Sequence, residues 1–177
     1  WAFFAAITAA GMMAQWSTFA LYWYGVPAAL PATAIALTDP IFGRPLPFYL
    51  FTLPAWQLLS SWLLTLAVLV CAVAGFFVVI SGGTRLLNKR RPDDGGSWRG
   101  LSIAFAGVLL MLAVRVYLGR FEQLFDDGAS ATFTGVTYTD ANVTLTGMLV
   151  VAAALGVGAL VALVNAVSRP RVTWLVA

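Results

Sequence analysis

The side chains able to do chemistry in this 177-residue chain are few, and the acids come first: Glu122, Asp126, Asp127 and Asp140, with Asp39 further upstream. Glu122 and Asp126 are four residues apart, a spacing that sets two carboxylates on one helix face. Oxygen donors of this kind suit a hard cation such as calcium. Their order matches no calcium loop, however, and Asp126-Asp127-Gly128 has the composition of an ordinary turn. Solvated loop acids are the expected state, so the four residues are kept only as a weak metal candidate.

The other chemistries need residues this chain lacks. It has no histidine and one cysteine, Cys71, which excludes histidine metal clusters, cysteine zinc sites, Ser/His/Asp triads and internal disulfides. Cys71 stands in the middle of an apolar run and reads as a small packing residue. Haem ligation would fall to Met12, Met13, Met111 or Met148, which more often fill gaps. Gly82-Gly83 and Gly95-Gly96 lack the Lys-Ser or Lys-Thr that completes a phosphate-binding loop. No enzyme activity and no cofactor are expected.

The elements that carry these residues are set by composition. The chain is 61% hydrophobic and 10% charged, against roughly 25% charged in soluble domains, and its mean hydropathy is +0.90. A bilayer core about 30 Å thick takes about 20 apolar residues per helix. Four runs qualify, at about 1–24, 54–80, 101–118 and 143–167. They lack the polar alternation of barrel strands, and in lipid the backbone must satisfy its own hydrogen bonds. The expected fold is all-α: an integral membrane helical bundle of about four spans in a single transmembrane domain. A new apolar stretch begins after Arg169-Pro170-Arg171, so the chain is expected to be part of a longer one.

Charge orients the bundle. Arg85, Lys89, Arg90, Arg91, Arg99, Arg169 and Arg171 fall on one side, and Arg44 and Arg120 with most of the acids on the other. Basic residues near short loops favour the cytoplasm. The loop 82–100 and the C-terminal end are therefore expected inside a bacterial inner membrane, with loops 25–53 and 121–141 outside. The basic cluster is explained by this rule without an anionic-lipid or nucleic-acid site, and no nucleic-acid partner is expected.

Within the spans, Arg115 is a functional candidate because charge is costly there. It lies about 20 Å along the helix from Leu101, which is expected to let it snorkel to the outer boundary as an anchor. In the last span Ala152 and Gly156, Ala154 and Gly158, and Gly158 and Ala162 are four residues apart. That spacing permits close contact within the bundle or against another subunit.

The segment 39–54, DPIFGRPLPFYLFTLP, is built to turn. Asp39 is expected to cap a short helical turn opened by Pro40, and Gly43 lets the chain reverse. Pro45, Pro47 and Pro54 are expected to keep 46–53 out of a long helix and along the interface. Trp16, Tyr22, Trp23 and Tyr24 with Phe48, Tyr49, Phe51 and Trp56 form the expected aromatic belt. Before the last span, Thr139 or Asp140 is the expected N-cap.

Three blocks together resemble a bacterial uncharacterised protein family of large multi-pass membrane proteins. They are Asp39-Pro40-Ile41-Phe42-Gly43 with Phe48-Tyr49-Leu50-Phe51 and Pro54, then Arg120-Phe121-Glu122-Gln123-Leu124, then Tyr138-Thr139-Asp140. The first fits closely, whereas the second has Phe121 and Gln123 where the family has Tyr and Leu. Thr146 replaces a typical Pro, and a His near the start of the third span is missing. The resemblance implies several spans followed by a large extracytoplasmic region, with this chain in the membrane part, and implies no known activity.

The functional expectation is a scaffolding membrane region or accessory subunit, its partners the bilayer and either other subunits or the rest of its own chain. The alternative is a transporter or lipid-handling module, for which only Arg115, Asn165 and Gln15 could line a polar path.

Overall fold

The computed structural model describes residues 9–11, 13–29, 37–87, 96–125 and 140–167. It divides into two compact units, Trp1–Leu59 and Ser60–Ala177.

In the first unit, helix α1 (Trp16–Ala29) packs on a π-helical turn, Phe48–Thr52. Between them the chain makes a closed loop. The Leu46 N–H donates to the Leu37 carbonyl at 3.0 Å and the Asp39 N–H to the Arg44 carbonyl at 2.9 Å, flanking an antiparallel bridge between Thr38 and Pro45. Gly43, at the tip, has φ +63°, a left-handed conformation that costs a side-chain-bearing residue about 1–2 kcal/mol.

The prolines do not hold 46–53 out of the helix. Leu46 and Pro47 are already helical, the π-helical turn follows, and α2 (Leu53–Leu87) continues without a break. The physical reason lies in where the missing N–H groups fall. Pro45 and Pro47 precede or open the helix, where amide hydrogens have no intrahelical partner. At Pro54 the ladder has been widened: the Leu53 N–H donates five residues back, to the Phe48 carbonyl, so the proline enters beside a turn that no longer follows α-helical pairing. Burial through this stretch alternates residue by residue, with Pro47, Tyr49, Phe51, Leu53 and Ala55 all buried. In a helix residues two apart lie about 200° apart, so Pro47, Phe51 and Ala55 lie on one side and Tyr49 and Leu53 on the nearly opposite one, and this stretch is covered on both.

The second unit contains the rest of α2, α3 (Gly96–Glu122) with a 3₁₀ turn at Gln123–Phe125, a second π-helical turn at Asp140–Thr144, and α4 (Leu145–Val167). α3 is antiparallel to both neighbours. Toward α2, Gly75 faces Leu101 and Ser61 meets Arg115; toward α4, Gly119 faces Met148 and Gly158 faces Leu109. The seam of α3 with α4 is made of small residues: Ala106 and Ala113, on the α3 face of Arg99, and Ala159 and Ala166 of α4 are all buried, whereas buried Ala104 falls on the α3 face of Leu101 and Arg115, toward α2.

Three stretches are long and apolar enough to cross a membrane: Phe48–Ser81, Trp98–Glu122 and Asn142–Val167. They answer to the second, third and fourth expected spans, and the helices run past the expected ends because 81–87 and 96–100 are helical too. Residues 1–8 and 12 of the first expected span lie outside the described residues; α1, 14 residues long, covers its last part and runs on to Ala29. The protein is all-α and carries the hydropathy of a membrane bundle.

Candidate functional site

Three sets of polar contacts organise the described residues. The first is centred on Asp39. Its Oδ1 accepts the Ile41 N–H at 3.1 Å, and its Oδ2 accepts the Phe42 N–H at 2.7 Å and the Tyr49 hydroxyl at 2.9 Å. The Asp39 carbonyl also accepts the Gly43 N–H at 2.8 Å. One carboxylate therefore caps the Pro40 turn, as its sequence suggests, and also fastens the turn to the π-helical segment ten residues on. The second function is missed by capping rules, which read only the next three residues. Tyr49 is buried, so its hydroxyl needs an acceptor, and Asp39 supplies it.

Arg44 and Phe48 complete this set. The guanidinium carbon lies 5.4 Å from the ring centroid, and the Phe48 ring meets Tyr49 edge-on at 5.3 Å. A similar arrangement ends α3: Arg120 lies over Tyr117 at 5.2 Å, and Tyr117 meets the buried Phe121 edge-on at 6.0 Å. Both arginines lay a cation over an aromatic face, where the ring's negative π surface attracts it.

The second set lies at the other end of α3. Arg99 Nε donates to the Ala166 carbonyl at 2.9 Å and Nη2 to the Val167 carbonyl at 3.3 Å. The last carbonyls of a helix lack intrahelical partners and carry the negative end of its dipole. A neighbouring helix thus supplies α4 with a cationic C-cap. Sequence alone gives no sign of it, because the partners are sixty-seven and sixty-eight residues apart.

The third set joins α2 and α3 inside their apolar stretches. Arg115 Nη1 donates to Ser61 Oγ at 3.1 Å, and the Thr65 hydroxyl donates to the Ser61 carbonyl at 2.9 Å. The guanidinium of Arg115, which the sequence suggests as an anchor at the outer boundary, here meets a hydroxyl of the neighbouring helix. Ser60, beside this contact, is the buried polar residue of the described set.

The expected small-residue face of α4 is present in a different phase. The covered positions include Leu145, Met148, Ala152, Leu155, Ala159, Ala162 and Ala166, which follow a three-four repeat of the kind that packs knobs into holes, and also Gly156, Gly158 and Asn165. Ala152 and Ala162 lie on the repeat. Gly158 flanks it, and a Cβ added there would stand 3.4 Å from Leu109 Cδ1, whereas one at Gly156 would meet nothing within 4 Å. Ala154 is exposed. Ala159 and Ala166 are the most deeply buried residues of α4, and they are seven residues apart, so no four-residue pair of small residues marks them.

Among the acids, Glu122 is exposed at the end of α3, and Asp140 opens the π-helical turn before α4 instead of standing ahead of a regular first turn. Asp126, Asp127, Tyr138 and Thr139 lie outside the described residues. Among the described residues, no three His, Cys, Asp or Glu side chains gather closely enough to hold a metal ion.

The described motif residues thus fall where helices open, turn or close. The model of an uncharacterised protein family (UPF0182) matches residues 1–177. The chain belongs to the UPF0182 family. A UPF0182 protein of Saccharopolyspora erythraea is 34% identical over 137 residues, covering 75% of this chain and 13% of that protein. UPF0182 proteins of Mycobacterium marinum and Mycobacterium bovis are 34% and 36% identical over 145 and 146 residues, each covering 81% of this chain and 14% of the relative. The chain therefore spans about one seventh of the length of the UPF0182 relatives it matches. No solved structure matches it significantly.

Proposed function

We propose that this region anchors and packs the membrane part of a larger bacterial envelope protein, as a scaffold that catalyses no reaction. The observation that supports it best is the use made of the arginines. Arg99 closes the end of α4 and Arg115 joins α3 to α2, so charges that would serve chemistry in a polar cavity instead tie helix to helix. The small-residue seam serves the same end, since helices in lipid associate by close packing and not by hydrophobic exclusion.

In this reading the partners are the bilayer and other membrane segments, either the rest of the same chain or separate subunits, and no nucleic acid is bound. The membrane is the bacterial inner one. The distribution of basic residues supports a cytoplasmic placement for 82–100 and the C-terminal end, with 25–53 and 121–141 outside.

The test is a structure of the full-length protein in lipid nanodiscs together with whatever co-purifies, paired with solute-flux measurements in proteoliposomes. The scaffold reading expects a dry region between the helices and no flux. A water-filled groove reaching Arg115, accompanied by solute flux, would replace it with transport. Labelling of single cysteines introduced at Arg44 and Arg91, in a Cys71→Ala background, tests the orientation: only the first should react with an impermeant thiol reagent from outside.

A further inference from the structure

A guanidinium has five N–H donors, and the hydrogen bond that Arg115 makes among the described residues is the one to Ser61. The residue is nevertheless exposed. Its depth makes this costly. The stretch Trp98–Glu122 is 25 residues long, and Arg115 stands seven residues from its end, about 10 Å along the axis. With a hydrocarbon core about 30 Å thick centred on that stretch, Arg115 lies about 7 Å inside the nearer boundary.

Side chains on a helix lean toward its N-terminus, which carries the guanidinium of Arg115 deeper, away from the nearer boundary. The bond to Ser61 holds it there, since Ser61 is about 5 Å from the centre of Phe48–Ser81 by the same rise per residue. Headgroup phosphates at the boundary are out of register with such a group. Ionisable side chains at this depth pair with one another or face the interior of a bundle.

In the three described spans the acid present is Glu122, the last residue of Trp98–Glu122; it stands about 10 Å along the axis from Arg115, on the boundary side, while the guanidinium leans the other way. Through 48–81, 98–121 and 142–167 there is no Asp or Glu, so no carboxylate of these spans lies at the depth of Arg115. The relatives are about seven times longer than the matched region, so further segments exist in proteins of this family to cover the face.

We propose that the Arg115–Ser61 pair, on the exposed side of the α2–α3 contact, docks a further membrane-spanning helix of the full-length protein that carries an aspartate or glutamate at the same depth. This rests on the packing reading above and specifies its partner. The helix would bring a carboxylate to the open edge of the guanidinium, where paired N–H donors match two carboxylate oxygens, and would seal both from lipid.

The test uses the full-length protein in nanodiscs with a photo-crosslinking residue at Thr65, exposed and one helical turn from Ser61. Mass spectrometry of the adduct should identify a peptide outside the matched region, from an apolar stretch with an acid near its centre. Arg115→Ala or replacement of that acid by Ala should each cut the adduct several-fold, and exchanging the two charges should restore it. If Arg115→Ala does not accumulate, Arg115→Lys and Ser61→Ala take its place, each with a partial loss. Adducts confined to phospholipid, or to a segment without an acid, would overturn the proposal. Either of those results leaves the scaffold reading standing if the nanodisc structure is dry, whereas a water-filled path at Arg115 sinks the scaffold reading whatever the adduct shows.

Discussion

The loop that closes on Asp39 and the seam between α3 and α4 solve opposite problems. In the loop, residues at most ten apart are tied by directional bonds: one carboxylate takes two backbone amides and a tyrosine hydroxyl. In the seam, helices from distant parts of the chain meet through alanines and a glycine, with the polar tie at its end, from Arg99. Where the backbone leaves a helix its polar groups need partners, so a single well-placed acid suffices. Where the backbone is already satisfied, closeness of approach is the only currency left, and side-chain volume decides it.

That contrast can be broken most severely in the seam. Ala159→Leu inserts three carbons where the residue is 3% exposed, and overpacking of this kind costs about 1–3 kcal/mol. Thermal unfolding of the detergent-solubilised protein should show the lowest midpoint for this variant, at the upper end of that range because a rigid helix pair cannot splay at one point without losing contact on both sides.

Asp39→Ala comes next. It removes a cap worth about 1 kcal/mol and takes the Asp39 acceptor from the buried Tyr49 hydroxyl, an added cost of about 1 kcal/mol. Tyr49→Phe separates the two effects: removing the hydroxyl along with its need for a partner should recover part of the loss in the Asp39→Ala background, measured as a double-mutant cycle on the unfolding midpoint. An additive cycle would mean that the hydroxyl and carboxylate are not coupled.

Gly43→Ala should cost about 1 kcal/mol, for reasons of backbone conformation alone. A Cβ there meets nothing within 4 Å, so the loss should be the same for Ala and Ser and should vanish with a residue of the opposite hand introduced by peptide ligation. Gly107→Ala is the smallest effect and has the opposite sign. It lies within α3, a Cβ there also meets nothing within 4 Å, and helix propensity then favours alanine by about 0.5–1 kcal/mol. A destabilised Gly107→Ala would indicate that another segment approaches α3 closely at that point in the full-length protein.

The legibility of these features in sequence follows the range of the interactions. The three membrane-crossing stretches are marked by composition, and the Asp39 turn with Gly43 by residue types a few positions apart. Ala159 and Ala166 were not distinguishable because a helix in lipid is apolar all round; α4 has no polar face to mark which stripe is covered. Arg99 and Arg115 were visible as charges, yet their partners are on other helices, and no local rule names them. Pro54 misled for another reason: proline rules assume α-helical pairing, and the widened turn before it removes that assumption.

One geometric outcome follows from the covered row on α4. A three-four repeat recurs every 3.5 residues on average, and a straight helix slips by about 20° for each seven residues of it. From Leu145 to Ala166 that slip would come to about 60°, enough to carry the row out of the seam. Yet α3 keeps contact with α4 near both ends, at Met148 and at Ala166. A left-handed winding of the two helices keeps such a row in the seam along its length, and a third helix laid into a groove wound in that way would follow the same coil.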